Sequence, residues 1–386
     1  MSHSPPFCPN PFCPLHDPHQ AGRAAGAMNR SWYLRKGWRF NAHAQRVQRY
    51  QCRRCRRYFS DRTFHIDYWG KRQLDYRRLL TMMSSCMSLR AMARAFHCAP
   101  KTVDNKLSRL TRQAVAVHTL LTEGKSLQED LIADGFESFT VSQYFPNNFN
   151  LLAGEGSQFL YYFNYAQLRR KGRMRDSQKR RAESLRKKVP IADRQILTRF
   201  AELIIEAVKL QRNSPPRSLL RIHTDEKTEY ALVLSQGSFG FRDRKEGYRI
   251  IHQRTSSRQR RDTSNPLFSV NYMDREIRKD LAEHVRQSTR FGRNVNSAVG
   301  RMELYLFYHN FLKPFRLNKR RRTYRTHAEA AGFERANIDR LLGMWMRRRF
   351  FKTHLRLDLH HEKVWRRAYS TPGKLLTDVV AQYVYA

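Results

Sequence analysis

The chain has 386 residues, with 74 Lys+Arg against 33 Asp+Glu and a formal net charge of +41. At roughly 100–200 residues per domain this leaves room for two or three domains, and 40% hydrophobic with 12% aromatic residues excludes disorder as a global description, because such a chain can offset its ordering entropy by burial. So large a cationic surplus repels itself unless a polyanion supplies countercharge, which puts nucleic acid first among partners; no run approaches the ~18–20 apolar residues of a membrane span.

In chain order, residues 1–30 are rich in Pro, His, Gly and Ala and read as irregular; they contain Cys8 and Cys13. They have no apolar signal-peptide core, so a cytosolic location is expected. An aromatic and basic stretch at 32–50 leads into Cys52-Arg-Arg-Cys55. Residues 74–121 carry helical periodicity with a break at 97–100. Three runs rich in aliphatic and aromatic residues, at 131–139, 149–153 and 158–163, are separated by turn residues and predict successive antiparallel strands. A basic stretch at 169–188 precedes a helix over about 193–211, ended by Pro215-Pro216. The run 218–225 is a further short strand that stops at Asp225. Helices return over 271–315, and the tail from Lys319 is basic and helical.

Six cysteines in an unexported chain are read for metal or packing rather than for disulfides. Cys8 and Cys13, and Cys52 and Cys55, form two knuckles that could point four thiolates at one structural Zn²⁺. The first knuckle is loose, and His16 or His19 could replace one of its thiolates. Cys86 and Cys98 have no close partner and read as small packing residues. His360 and His361, before Glu362, read as exposed helical residues.

Residues 88–107 have helix-turn-helix grammar: Leu89, Met92, Ala93 and Phe96 line one helix face, and Pro100 suits the first turn of a second whose inner face is Val103 and Leu107. Lys101, Thr102, Asn105 and Lys106 would then face a DNA major groove. In the strand-rich middle, Asp134 lies inside an apolar run and Asp225 closes another. Two such acids side by side resist joint ionisation unless a divalent cation sits between them. The order of strand with Asp134, two more strands, long helix, strand ending at Asp225, then helices is that of an RNase H-like domain. For the third acid Asp274 is the choice, with Arg275 and Arg278 as phosphate-seeking cations beside it; Asn271, the out-of-register Glu276, and more distantly Asp262 and Glu303, are the alternatives. Three carboxylates would hold two Mg²⁺ (or Mn²⁺) ions.

These motifs taken together, the ribbon ending Arg-Tyr-Gln-Cys52-Arg-Arg-Cys55 with Phe59-Ser60, the helix-turn-helix, Asp134-Gly-Phe-Glu-Ser-Phe, His223-Thr-Asp225-Glu226, Asn-Tyr-Met-Asp274-Arg and Arg293-Asn-Val, resemble bacterial insertion-sequence transposases of the DDE class. The resemblance spans about residues 8–315. It implies a polynucleotidyl transferase that binds the double-stranded ends of its element, cuts them and joins them to target DNA, working in the cytoplasm at the nucleoid and assembling as a dimer or larger on DNA. The expected fold is multidomain α+β: a zinc ribbon over 1–70, a helical DNA-binding unit over 71–123, an RNase H-like α/β catalytic domain over 127–316 and a basic helical tail over 317–386. The rival from another class is a zinc-ribbon, helix-turn-helix transcriptional regulator without catalysis.

Overall fold

The N-terminal aromatic stretch folds as a three-stranded antiparallel sheet, β1 (Tyr33–Phe40), β2 (Arg46–Cys52) and β3 (Tyr58–Ser60), in a computed structural model that describes residues 4–27, 31–40, 46–214, 219–235, 249–256, 258–285, 290–315, 325–374 and 380–386. Helix α1 (Pro18–Ala27) precedes it. Its core is a small aromatic cluster in which Phe59 stacks between Trp32 (5.7 Å) and Tyr50 (5.4 Å). A cluster this size buries too little apolar surface to be stable alone. Phe351 of the C-terminal region completes it.

Three helices follow. Asp75 caps α2 (Tyr76–Met83) by accepting from the Arg77 and Arg78 N–H groups, and Ser88 caps α3 (Leu89–Ala95). After a turn with His97 in the left-handed region (φ 48°), α4 (Pro100–Thr122) starts with proline in its first turn and runs for 23 residues, about 34 Å.

The second sheet has five strands in the order β6–β5–β4–β7–β8. The chain lays down β4 (Leu131–Phe139), β5 (Pro146–Gly154) and β6 (Leu160–Gln167) as an antiparallel meander; β7 (Leu219–Thr224) then pairs parallel to β4, and β8 (Arg249–Arg254) parallel to β7. Between β6 and β7 lie α5 (Asp176–Lys188), with no buried residue, and the amphipathic α6 (Gln195–Arg212). Helix α6 packs on β5 and β6, with α7 (Thr228–Ser235) beside it. A buried amide ladder fixes this face: Asn148 donates to Asn150 (2.5 Å), Asn150 to Asn164 (2.9 Å), and Asn164 to the Arg199 carbonyl (2.5 Å). The other face is covered by α8 (Phe268–Asp280), against β4 and β5, and by α9 (Val295–Phe311), against β6. Helices α1, α5 and α7 and strand β8 were not foreseen: residues 1–30 read as irregular yet Pro18–Ala27 is helical, the basic stretch at 169–188 contains α5, and β8 has only Ile250 and Ile251 as apolar residues, too few for an alternating signal.

The C-terminal elements α10 (His327–Ala330), α11 (Arg335–Trp345) and α12 (Leu359–Arg366) join the same core. Among the described residues there are twelve α-helices, and no helix is long and apolar enough to cross a membrane. Helix α4 is the hub: residues 110–118 are all buried, and it packs against α2, α3, α9, α11 and α12. Replacing Ala116, fully buried on α4, by Leu inserts methylenes where no side of the helix can yield. The expected cost is about 1–3 kcal/mol, read as a lowered urea midpoint with an unchanged slope.

Candidate functional site

The four N-terminal cysteines converge. One ligand sulfur from each of Cys8, Cys13, Cys52 and Cys55 lies within 4.8 Å of the others, with Sγ–Sγ separations of 3.6 Å for Cys8–Cys55 and 3.9 Å for Cys13–Cys52. Burial raises the pKa of the Cys8 and Cys13 thiols, and the neighbouring cysteines add to the rise. A divalent cation would reverse that penalty, and four thiolates in this arrangement could hold structural zinc. The histidine alternatives fall away. His16 bonds the Cys8 carbonyl through Nδ1 (2.7 Å) and Thr353 Oγ1 through Nε2 (2.6 Å), and His19 is exposed. Cys86 and Cys98 are half-buried.

Between the ribbon and the start of α4 lies a groove of about 930 Å³. Phe12, Tyr58 and Trp69 line it together with Lys101, Asn105 and Arg109. Trp69 is 76% exposed, an aromatic held in water beside the cations Lys101 and Arg109. Of the four α4 residues expected to face DNA, Lys101 and Asn105 are exposed and line the groove, and Thr102 is half-buried. Lys106 must be corrected. It is buried, ion-paired with Asp67 and set over the Tyr76 ring, because it points down the inner side of α4 with Val103 and Leu107.

The two strand acids meet. Strands β4 and β7 are parallel, with Ile132 opposite His223; Asp134 stands two residues further along β4 and Asp225 just past the end of β7, near enough for the Asp225 charge to bear on Asp134. Each carboxylate is held by backbone: Asp134 Oδ1 accepts from the Gly135 N–H (2.6 Å) and Asp225 Oδ1 from the Lys227 N–H (3.0 Å). Burial, reinforced by the negative charge of Asp225, pushes the Asp134 carboxyl up to about 6, against the opposing pull of Lys227 and Arg261. Gly135 is required next to it, since a Cβ there would sit 2.4 Å from the Asn148 side chain and 2.9 Å from the Tyr230 hydroxyl.

Helix α8 runs alongside β4. At its start Ser269 donates to the Glu155 carbonyl (2.7 Å), and the Glu155 N–H reaches Asp130 at the head of β4. Towards its end Arg278 donates to the Glu137 carbonyl (3.2 Å) and lies over the Phe136 ring. Asp274 falls between these anchors in the helix, one turn before Arg278 on the same side. Arg278 thus joins helix to strand, whereas Arg275 is exposed over Tyr272. Glu276 faces elsewhere: it is buried and paired with Lys279 (2.7 Å) and Lys313. Asp262 accepts from Ser264 in a surface turn, Glu303 lies in a separate buried cluster, and Asn271 stays half-buried one turn before Asp274.

Sequence reasoning missed His223. It is buried, neither ring nitrogen has a hydrogen-bond partner, and Nε2 is 3.6 Å from Asp130, close to Glu155. Only the parallel pairing of β7 with β4 brings it there, and Asp130 is engaged by Arg221 at 2.8 Å. The basic run 319–322 lies outside the described residues. No protein-family model matches the chain, and a search of curated proteins returns no match.

Folding raises the Asp134 pKa from 3.8 to about 6, so the native state holds this proton more tightly than the unfolded chain does. The penalty is absent below pH ~4 and develops as pH rises through about 6, reaching about 3 kcal/mol. Asp134→Asn should therefore be no more stable than the parent at pH 4 and more stable at pH 7.5 in chelator; calorimetric melts at the two pH values check the widening gap.

Proposed function

We propose that this protein is a metal-dependent DNA-cleaving and strand-transferring enzyme of the DDE transposase type. The observation that carries the reading is Asp134 on β4 beside Asp225 at the end of the parallel strand β7, where the negative charge of Asp225 opposes ionisation of Asp134. Such a pair costs stability and has a reason to exist when a hard divalent cation is shared between them. A sheet of three antiparallel strands extended by two parallel ones, with acids on neighbouring central strands and a helix bearing Asp274 laid along β4, supports an RNase H-like reading of residues 127–316.

In this reading Asp134, Asp225 and Asp274 hold Mg²⁺ or Mn²⁺, which supplies activation of water or a 3′-hydroxyl and charge stabilisation at a scissile phosphodiester. The chain's own groups do the rest. Backbone N–H groups of Gly135 and Lys227 fix the two carboxylates, and Lys227 and Arg261 temper their mutual repulsion. The groove between ribbon and α4 takes the double-stranded DNA end, with Lys101 on phosphate and Asn105 at a base edge. Helix α5, none of whose residues is buried, with Arg186, Lys187 and Lys188 in its last turn, adds sequence-independent phosphate contact. Two ends must be brought together, so the working form on DNA is a dimer or larger.

Asp225→Asn should lose Mg²⁺-dependent nicking of a terminal DNA duplex by at least about 100-fold, since even outer-shell disturbance of a metal site costs 10–100-fold, while its DNA affinity holds. Full nicking by this variant would remove Asp225 from the chemistry, and binding with no nicking by the parent protein would favour the DNA-binding regulator. Separately, Lys101→Ala should weaken binding across all sequences and shallow the slope of log affinity against log salt by about one, measured by fluorescence anisotropy over a salt series.

A further inference from the structure

We propose that Glu303, His360 and His361 form a second transition-metal site, a buried zinc clamp that fastens the C-terminal helix α12 to α9. One ligand atom from each lies within 4.8 Å of the others, and the three residues are 0%, 4% and 6% exposed. The expectation that His360 and His361 are exposed is therefore overturned: α12 turns this pair inward.

Three observations point to a cation. Neither oxygen of Glu303 accepts a hydrogen bond, and its nearest basic atom is His361 Nε2 at 4.0 Å. His360 Nε2 is likewise without a hydrogen-bond partner. A buried carboxylate and a buried imidazole nitrogen left this way are rare in native interiors and call for a partner. The third is that the opposite nitrogen of each ring is already held. His361 Nδ1–H donates to the Asp358 carboxylate, and His360 Nδ1–H is positioned to donate to the Tyr369 hydroxyl at 2.6 Å. Asp358 is itself fixed by the His360 and His361 N–H groups (2.8 and 3.1 Å) and by the Tyr162 hydroxyl (3.0 Å). Metal-binding histidines are oriented by this kind of outer partner, which fixes the tautomer and leaves Nε2 for the ion.

Two imidazoles and a carboxylate suit zinc, whereas Mg²⁺ and Ca²⁺ prefer all-oxygen sets. Bidentate Glu303 would complete four-coordination, and with all three residues buried a substrate has no approach, so the role is structural. Helix α12 has only 8 residues, too short to be stable by itself, and a metal bond to α9 holds it against the core. The clamp does not depend on the DNA-processing reading.

Cobalt titration of the metal-stripped full chain, in an Asp134→Asn/Asp225→Asn background that removes the carboxylate pair as a competing site, tests this. The expected result is two bound equivalents, one with the intense thiolate charge-transfer absorption of the cysteine site and one with only weak d–d bands. Glu303→Gln and His360→Gln should each lose the second equivalent and keep the thiolate band, which also reports that the variant ribbon has folded. A single equivalent in the background chain, carrying the whole thiolate spectrum, would overturn the clamp; so would a second equivalent that survives both substitutions.

Discussion

Helix α4 must satisfy two environments with one continuous backbone. Its first turns, with Lys101 and Asn105, are at the surface, whereas residues 110–118 are enclosed on every side. An enclosed helix cannot be all apolar if it is to be held in one rotation, and α4 is pinned by its polar side chains. Arg112 donates to the Trp365 carbonyl (2.8 Å), Gln113 to the Trp345 carbonyl (3.2 Å) while accepting from the Phe350 N–H (3.1 Å), and His118 to the Tyr161 carbonyl (3.0 Å). Near its start Asp104 gathers Ser297 (2.8 Å) and Arg367 (3.2 Å). Because low-dielectric surroundings make each unpaired group costly, rotating or sliding α4 would break contacts to α9, α11, α12 and the sheet together. The groove and the acid-bearing sheet are thus joined through a rigid element.

The charge surplus follows from where the acids go. Many of the 33 Asp and Glu side chains are engaged inside the fold: Asp67 with Lys106, Asp104 with Arg367, Glu276 and Asp280 with Lys313, Glu283 with Arg301, Asp358 with His361. Each buried pair takes one cation out of the surface count, yet the excess of Lys and Arg leaves basic segments such as α5 with no buried residue. Asp134 and Asp225 are the contrasting case, since they meet each other rather than a bonded cation. That repulsion is a local cost the surrounding core must sustain, and it marks the sheet end as a place arranged for something other than stability.

Much of this was legible in residue patterns. Cysteine spacing identified the four N-terminal thiols, helical periodicity with Pro100 located the α3–turn–α4 unit, and apolar runs located β4, β5, β6 and β7. What failed did so for physical reasons. Lys106 looks like a surface cation until Asp67, distant in sequence, is folded against it. His360 and His361 sit in a polar, basic stretch, and only the packing of α12 on α9 turns them inward. Strand β8 carries too few apolar residues to announce itself and exists because β7 offers it an edge.

The sequence by itself determined the local features, because caps, turns, periodicity and ligand spacing act over a few residues. It therefore settled which cysteines pair into knuckles, where α3 and α4 meet at Pro100, and that Asp134 lies within an apolar strand. Tertiary structure alone decided which of those residues meet. The nearness of Asp134 to Asp225 depends on the register of two parallel strands far apart in the chain. The side of α8 that lies along β4 is likewise set by contacts distant in sequence, Arg278 on Glu137 and Lys313 on Glu276.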